Sequence, residues 1–158
     1  MKIGSKQIGD GNPCFVIGEV GLAHDGSVRI AHDFIDAIAK TGADAIKYQC
    51  HRGDESDQWR IPPRWVAEAR QDYWKRTDFS SYEWKDLKEH AEGLGLIFLC
   101  SPFSVEAVKL LDPLVPAWKI PSGQIHNSDL WNAIAKTNKP VLLSTGMSHS
   151  AEIEQRSE

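Results

Sequence analysis

The stretch Ile46-Lys47-Tyr48-Gln49 closes a short apolar run with a lysine in it, and a second lysine, Lys119, stands in the similar run Ala117-Trp118-Lys119-Ile120. A lysine on the inner face of a buried strand is costly unless an anion neutralises it. Two such cations at two strand ends point to one shared ligand, a small phosphorylated or carboxylated anion. Ser101, Ser122 and Ser144 stand at the ends of neighbouring runs, and hydroxyls beside backbone amides at helix starts suit phosphate oxygens. Ser122-Gly123 and Thr145-Gly146 add small residues that allow close backbone approach. Glu19, at the end of the first run, is a carboxylate able to orient a substrate hydroxyl or act as acid or base. The plainer alternative pairs the lysines with Glu19 or Asp44, or lets them snorkel to solvent.

These residues are positioned by an alternation of strands and helices. A short ribbon, Lys2-Ile3-Gly4 with Lys6-Gln7-Ile8-Gly9, precedes a strand over Cys14-Phe15-Val16-Ile17-Gly18 that ends at Glu19. Ser27 caps a helix with apolar positions Val28, Ala31, Phe34, Ile35, Ile38 and Ala39, stopped by Gly42. Ala43 to Gln49 is the second strand. If Ile46 and Tyr48 face the helices, Lys47 and Gln49 face inward together.

His51 to Phe79 lacks a clean period and reads as a long excursion, in which Trp59, Trp65, Tyr73 and Trp74 supply a lid, a partner surface or satellite packing. Ser80 or Ser81 caps the next helix, Glu83 to Gly93; Leu96 to Cys100 is a strand. Ser104 caps a helix through Val105, Val108 and Leu111. Val115 to Ile120 is a strand, Ser128 caps the helix carrying Leu130 and Ile134, and Val141 to Ser144 is a fifth strand before a helix begun at Ala151 to Gln155.

Apolar strands alternating with amphipathic helices demand a parallel α/β sheet. An open doubly wound sheet and a (β/α)8 TIM-type barrel both satisfy the pattern. Gly18, Gly21 and Gly26 do not make a dinucleotide fingerprint. The expected architecture is therefore about the first five β/α units of such a barrel, residues 1–158, behind a short β-ribbon. Ligands of either fold sit beyond the carboxyl ends of the strands.

With 41% hydrophobic and 25% charged residues the chain of 158 has the makings of one core, and a net charge of −4 argues against nucleic acid as partner. No run approaches the roughly 18 apolar residues of a membrane span. Cys14, Cys50 and Cys100 have no metal-ligand spacing and read as buried reduced thiols of a cytoplasmic protein. His24, beside Asp25, reads as a loop anchor rather than a metal ligand. His51, His90, His126 and His149 form no HxxxH or HxH pattern.

The chain resembles the N-acetylneuraminate (sialic acid) synthase family, with its legionaminate, pseudaminate and spore-coat relatives. The resemblance is carried by Ile17 to Gly21 with His24-Asp25-Gly26, Gly42 to Gln49, Phe98 to Phe103, Pro116 to Gln124 and Lys139 to Met147. It implies a barrel that condenses phosphoenolpyruvate with an N-acetylated hexosamine such as N-acetylmannosamine and releases phosphate. By it, Lys47, Ser101, Lys119, Ser122 and Ser144 look like phosphoenolpyruvate contacts, while Glu19 and Gln49 look like residues holding the sugar and its carbonyl. A divalent metal, Mn2+ or Mg2+, would polarise the aldehyde; its histidine ligands belong to later strands of the family barrel, so none is expected in this chain.

Two motifs depart from the family pattern. Gln124 replaces a usual glutamate, keeping hydrogen bonding to sugar but losing acid or base capacity, and Ala23-His24-Asp25 replaces Asn-His-Asn. The later strands and a C-terminal antifreeze-like domain are the family parts that 1–158 lacks. The expectation is thus a gene fragment, a shortened form or one half of a split enzyme, acting as a homo-oligomer or beside a complementing half-barrel chain. A non-catalytic anion-binding or assembly module is the runner-up. A related synthase that joins phosphoenolpyruvate to an aldose phosphate is a third reading.

Overall fold

The computed structural model describes residues 1–52, 70–146 and 148–157. Strands β1 (Lys2–Ile3) and β2 (Lys6–Gln7) pair antiparallel as the expected ribbon. The parallel strands β3 (Ile17–Gly21), β4 (Ala45–Cys50) and β5 (Ile97–Pro102) follow in spatial order, and β6 (Trp118–Ile120) with β7 (Val141–Leu143) forms a second parallel pair packed beside β5. The helices are α1 (Val28–Ala39), α2 (Arg70–Thr77), α3 (Ser81–Gly93), α4 (Val105–Leu111), α5 (Ser128–Ala135) and α6 (Ser150–Ser157). Each of the five parallel strands is thus followed by at least one helix among the described residues.

Local chemistry sets the helix starts. The Ser27, Ser80 and Ser104 hydroxyls accept from the amides of Ile30, Glu83 and Ala107, and Ser80 with Glu83 completes a reciprocal capping box. At α5 the cap is Asn127, whose Oδ1 accepts from Leu130 N at 3.1 Å, and Ser128 is already the first helical residue. Two adjacent residues of capping type stand there, and the amide side chain takes the position the sequence reading gave to the hydroxyl.

Alternation along β4 splits the core in two. Ile46 and Tyr48 pack outward with Ala31 and Ile35 of α1, Trp84, Leu87 and Ala91 of α3, and Phe98 of β5. Ala45 faces the other way, into a cluster with Ile3, Ile97, Leu99 and Ala117, flanked by Ile17 and Leu142. Ile17, Ala45 and Ile97 are the first residues of β3, β4 and β5. Ile3, fully buried, therefore plugs the amino ends of the strands and leaves the carboxyl ends to the polar residues.

Three expectations are corrected. Strand β3 starts at Ile17, because Val16 spends its backbone groups on the Asp44 turn: its amide donates to Asp44 Oδ2 at 2.9 Å and its carbonyl accepts from Asp44 and Ala45. It also runs past Glu19 to Gly21, through a register shift between Glu19 and Gly21. Cys14, lying before the strand, is exposed, whereas Cys50 and Cys100 are buried. Burial pushes the Cys50 thiol up to about 12 and the Cys100 thiol well above its usual value, so both are inert.

The excursion contains α2, which carries Tyr73 and Trp74. Trp59 and Trp65, the rest of the suggested lid, lie outside the described residues, as does Met147.

Candidate functional site

Register places the polar groups on two successive levels. Glu19 on β3 stands opposite Lys47 on β4, and Gln49 stands opposite Ser101 on β5. Lys47 is buried, with its side chain 9% exposed; its ammonium pairs with the Glu19 carboxylate, which is 47% exposed, and donates to Ser101 Oγ at 3.4 Å. The plain salt bridge considered from sequence is thus present, and Asp44 is taken by Lys6 at 2.8 Å. On the second strand pair, Lys119 donates to Ser144 Oγ and to its neighbour's carbonyl, Ile120 O, at 3.2 Å.

The two strand sets pack side by side through β5 and β6. The Lys119 ammonium is shifted toward the neutral form, first by partial burial and then by the positive charge of Lys47, with the Glu19 carboxylate working against both. Two ammonium groups that repel one another at the mouth of parallel strands favour an anion between them. Gly21, at φ 58°, turns the chain away here, and a side chain on it would meet Gln49 Nε2 at 3.4 Å and Glu19 Oε1 at 3.5 Å. Those are ordinary contacts, so it is the positive φ that selects glycine here.

Lys47, Glu19, Ser101, Lys119 and Ser144 are therefore brought together, with Gln49 beside them. Gln124 is buried, and its Oε1 accepts from Asn127 Nδ2 at 2.8 Å, so that oxygen serves the start of α5. Ser122 opens the 3-10 turn Ser122–Gln124 and is partly exposed after β6.

His51 was not singled out from sequence. It is buried, 3.3 Å from Gln49 Oε1, and stacked between Trp74 at 4.7 Å and Phe103 at 3.7 Å between ring centroids. Its signal was available: Lys47, Gln49 and His51 share one face by the two-residue strand period.

His24 is the loop anchor expected. Its Nδ1 accepts from Gly26 N at 3.2 Å, and its ring packs 4.5 Å from Phe79. Gly26, at φ 81°, has room for no Cβ, which would lie 2.2 Å from Arg76 O; Arg76 in turn binds the Asp25 carboxylate at 2.7 Å. The end of α2 is thereby held against this first loop.

Burial pushes His24 down to about 4, partly offset by Asp25. In the unfolded chain, with an ordinary value near 6.5, the ring takes its proton first as pH falls. The unfolded state thus binds more protons between about pH 6.5 and 4, and stability falls with pH across that window, by at most about 3 kcal/mol. Above pH 7 the contribution is complete. Urea denaturation at pH 7.5 and 4.5 is expected to show a smaller loss in His24→Gln than in the wild type. Equal losses would remove His24 as the cause.

Among the described residues, no three or more His, Cys, Asp or Glu side chains gather to hold a metal ion. With Glu19 paired to Lys47 and His24 turned into the core, the residues present do not fit the divalent metal that the family resemblance implies, and no chemical step is derived through it. No described helix is long and apolar enough to cross a membrane.

Parallel β/α units with lysines and serines at the strand carboxyl ends define an α/β protein with a polar strand-end face. The chain belongs to the NeuB family, whose model matches residues 34–158. It is 37% identical over 156 residues to an uncharacterized protein of Methanocaldococcus jannaschii, covering 97% of this chain and 44% of the relative. It is 32% identical to an N,N'-diacetyllegionaminic acid synthase of Campylobacter jejuni, covering 89% of this chain and 44% of that protein. The crystal structure of an N-acetylneuraminic acid synthetase from Leptospira borgpetersenii, in complex with citrate, superposes with a TM-score of 0.84 at 29% identity, covering 99% of this chain and 53% of that one. The chain thus spans under half the length of the curated relatives it matches.

Proposed function

We propose that this chain forms the phosphoenolpyruvate side of a nonulosonic acid synthase site. In the reaction, C3 of phosphoenolpyruvate bonds to the aldehyde carbon of an N-acetylated hexosamine such as N-acetylmannosamine. Water supplies the oxygen that becomes the C2 ketone, and inorganic phosphate leaves. The observation that carries this reading is the placement of Lys47 and Lys119, each hydrogen-bonded to a strand-end serine, on strand sets that pack side by side through β5 and β6.

Lys47 and Lys119 neutralise the phosphate and carboxylate, and Ser101 and Ser144, already hydrogen-bonded to them, complete the oxygen contacts. Ser122 adds a hydroxyl beyond β6. Glu19 and Gln49 face the sugar, with Gln124 at the far side. In this reading the parallel strands are about the first five of eight barrel units, a fold of about 250 residues. The other strands come from a longer chain, a complementing half-barrel or a second copy, in the cytoplasm.

The alternative is an anion-binding or assembly module without turnover. Calorimetry with phosphoenolpyruvate and a phosphate-release assay with N-acetylmannosamine and Mn2+ separate the cases. The expected result is binding without release by the 158 residues alone, and release once the remaining barrel strands are supplied. Absence of binding would overturn the proposal, and binding without release even then would favour the module. Aldose phosphates in the same assay test the substrate class.

A further inference from the structure

On the helical layer, α1 and α3 bring two histidines into direct contact. His32 Nδ1 and His90 Nδ1 lie 2.8 Å apart. Their ring centroids are 4.9 Å apart, so the rings meet edge to edge rather than face to face. Each opposite nitrogen is taken by a carboxylate: His32 Nε2 faces Asp86 Oδ2 at 3.0 Å, and His90 Nε2 faces Asp36 Oδ1 at 3.2 Å.

This arrangement dictates the hydrogens. A carboxylate only accepts, so both Nε2 atoms carry their N–H, and a neutral ring then has a bare lone pair on Nδ1. Two lone pairs aimed at each other at this distance repel unless something electron-poor lies between them. A metal cation meets that need. Imidazole rings that bind metals through one nitrogen usually donate the other N–H to a carboxylate, which fixes the tautomer and raises ligand basicity. Here both rings have that support before any metal arrives.

We propose that His32 and His90 form a binding site for one divalent transition-metal ion of the zinc type, held by both Nδ1 atoms and completed by water. Zn–N bonds of about 2.0–2.1 Å at a tetrahedral centre need the nitrogens about 3.3 Å apart, a separation reached by small rotations of side chains that are 26% and 30% exposed. The surrounding charge favours a cation. Asp36 and Asp86 have the histidines as partners, while Arg29 and Lys85 nearby are engaged by Asp33 and Glu89. Imidazole donors select zinc, copper or nickel over magnesium, calcium or manganese. Metal uptake ties α1 to α3.

The test is titration of the chain with zinc chloride, followed by calorimetry and by the 15N resonances of the histidine rings. Both His32 and His90 Nδ1 signals are expected to shift together at one zinc per chain, with no response to magnesium chloride. His32→Gln and His90→Gln are each expected to weaken that zinc at least tenfold, and Asp86→Asn by about tenfold. Zinc that leaves the two Nδ1 signals unmoved in the wild type would overturn the proposal, and so would uptake that survives both glutamine substitutions unchanged. The wild-type spectra decide even if a variant fails to fold.

Discussion

Replacing Lys47 with glutamine is expected to weaken phosphoenolpyruvate binding by about 30-fold or more, the scale of 2–5 kcal/mol found when one partner of a buried charge pair is truncated. The same change should leave the melting temperature unchanged or slightly raised. The reason lies in the asymmetry of the ion pair. Lys47 is buried and its ammonium has given up water, whereas its partner Glu19 is 47% exposed and can be rehydrated when left alone. A buried ammonium is thus kept at a cost to the fold, and the cost makes sense if a ligand uses the charge. Calorimetry on wild type and variant, with thermal melts on both, separates the two effects. Unchanged affinity would sink the role given to Lys47, and a collapse in stability would make it a structural residue instead.

Trp84→Ala is expected to destabilise the chain by about 3–5 kcal/mol, as large aromatic truncations in cores do. Trp84 is fully buried and meets Phe79, Tyr48 and Phe98 with tilted, edge-on rings, at centroid distances of 5.0, 6.0 and 6.4 Å. It therefore joins α3 to β4, β5 and the segment before α3. Its indole Nε1 has no hydrogen-bond partner among the described residues. Trp84→Phe loses area but also removes that stranded N–H, so its cost should be well under half that of alanine. Chemical denaturation of the two variants measures the difference. Equal losses would show that the ring's width, and not its polar atom, decides the site.

Much of this was legible because the period of a strand is two. Ile46 and Tyr48 against Lys47 and Gln49 is a clean division of faces, and the structure repeats it. The helices with regular apolar spacing, α1 and α3, were equally readable, down to the Ser27 cap and, of the two serines open at α3, one that proves to be the cap, Ser80. What escaped reading depended on partners distant in sequence. Helix α2, with only Tyr73 and Trp74 as large apolar residues, has no periodic face, and it is positioned by the Arg76 contact with Asp25. Cys14 looked like a strand residue because Phe15 and Val16 follow it, yet the Asp44 side chain claims the Val16 amide. His51 was hidden by ending β4 one residue too early. The apposition of His32 and His90 requires knowing that α1 and α3 are neighbours, which no local pattern contains.

Ile3 ties the first residues of the chain to the last strands. It shares its cluster with Ala117 and, at its margin, Leu142, residues separated from it by most of the sequence. The ribbon precedes β6 and β7 in sequence, so the cluster around Ile3 is complete only once those strands have formed. Contacts of such long sequence separation close late and slow folding. The ribbon is thus a clasp fastened from far along the sequence, first by β4 and β5 and then by the segment that leads into β6 and β7.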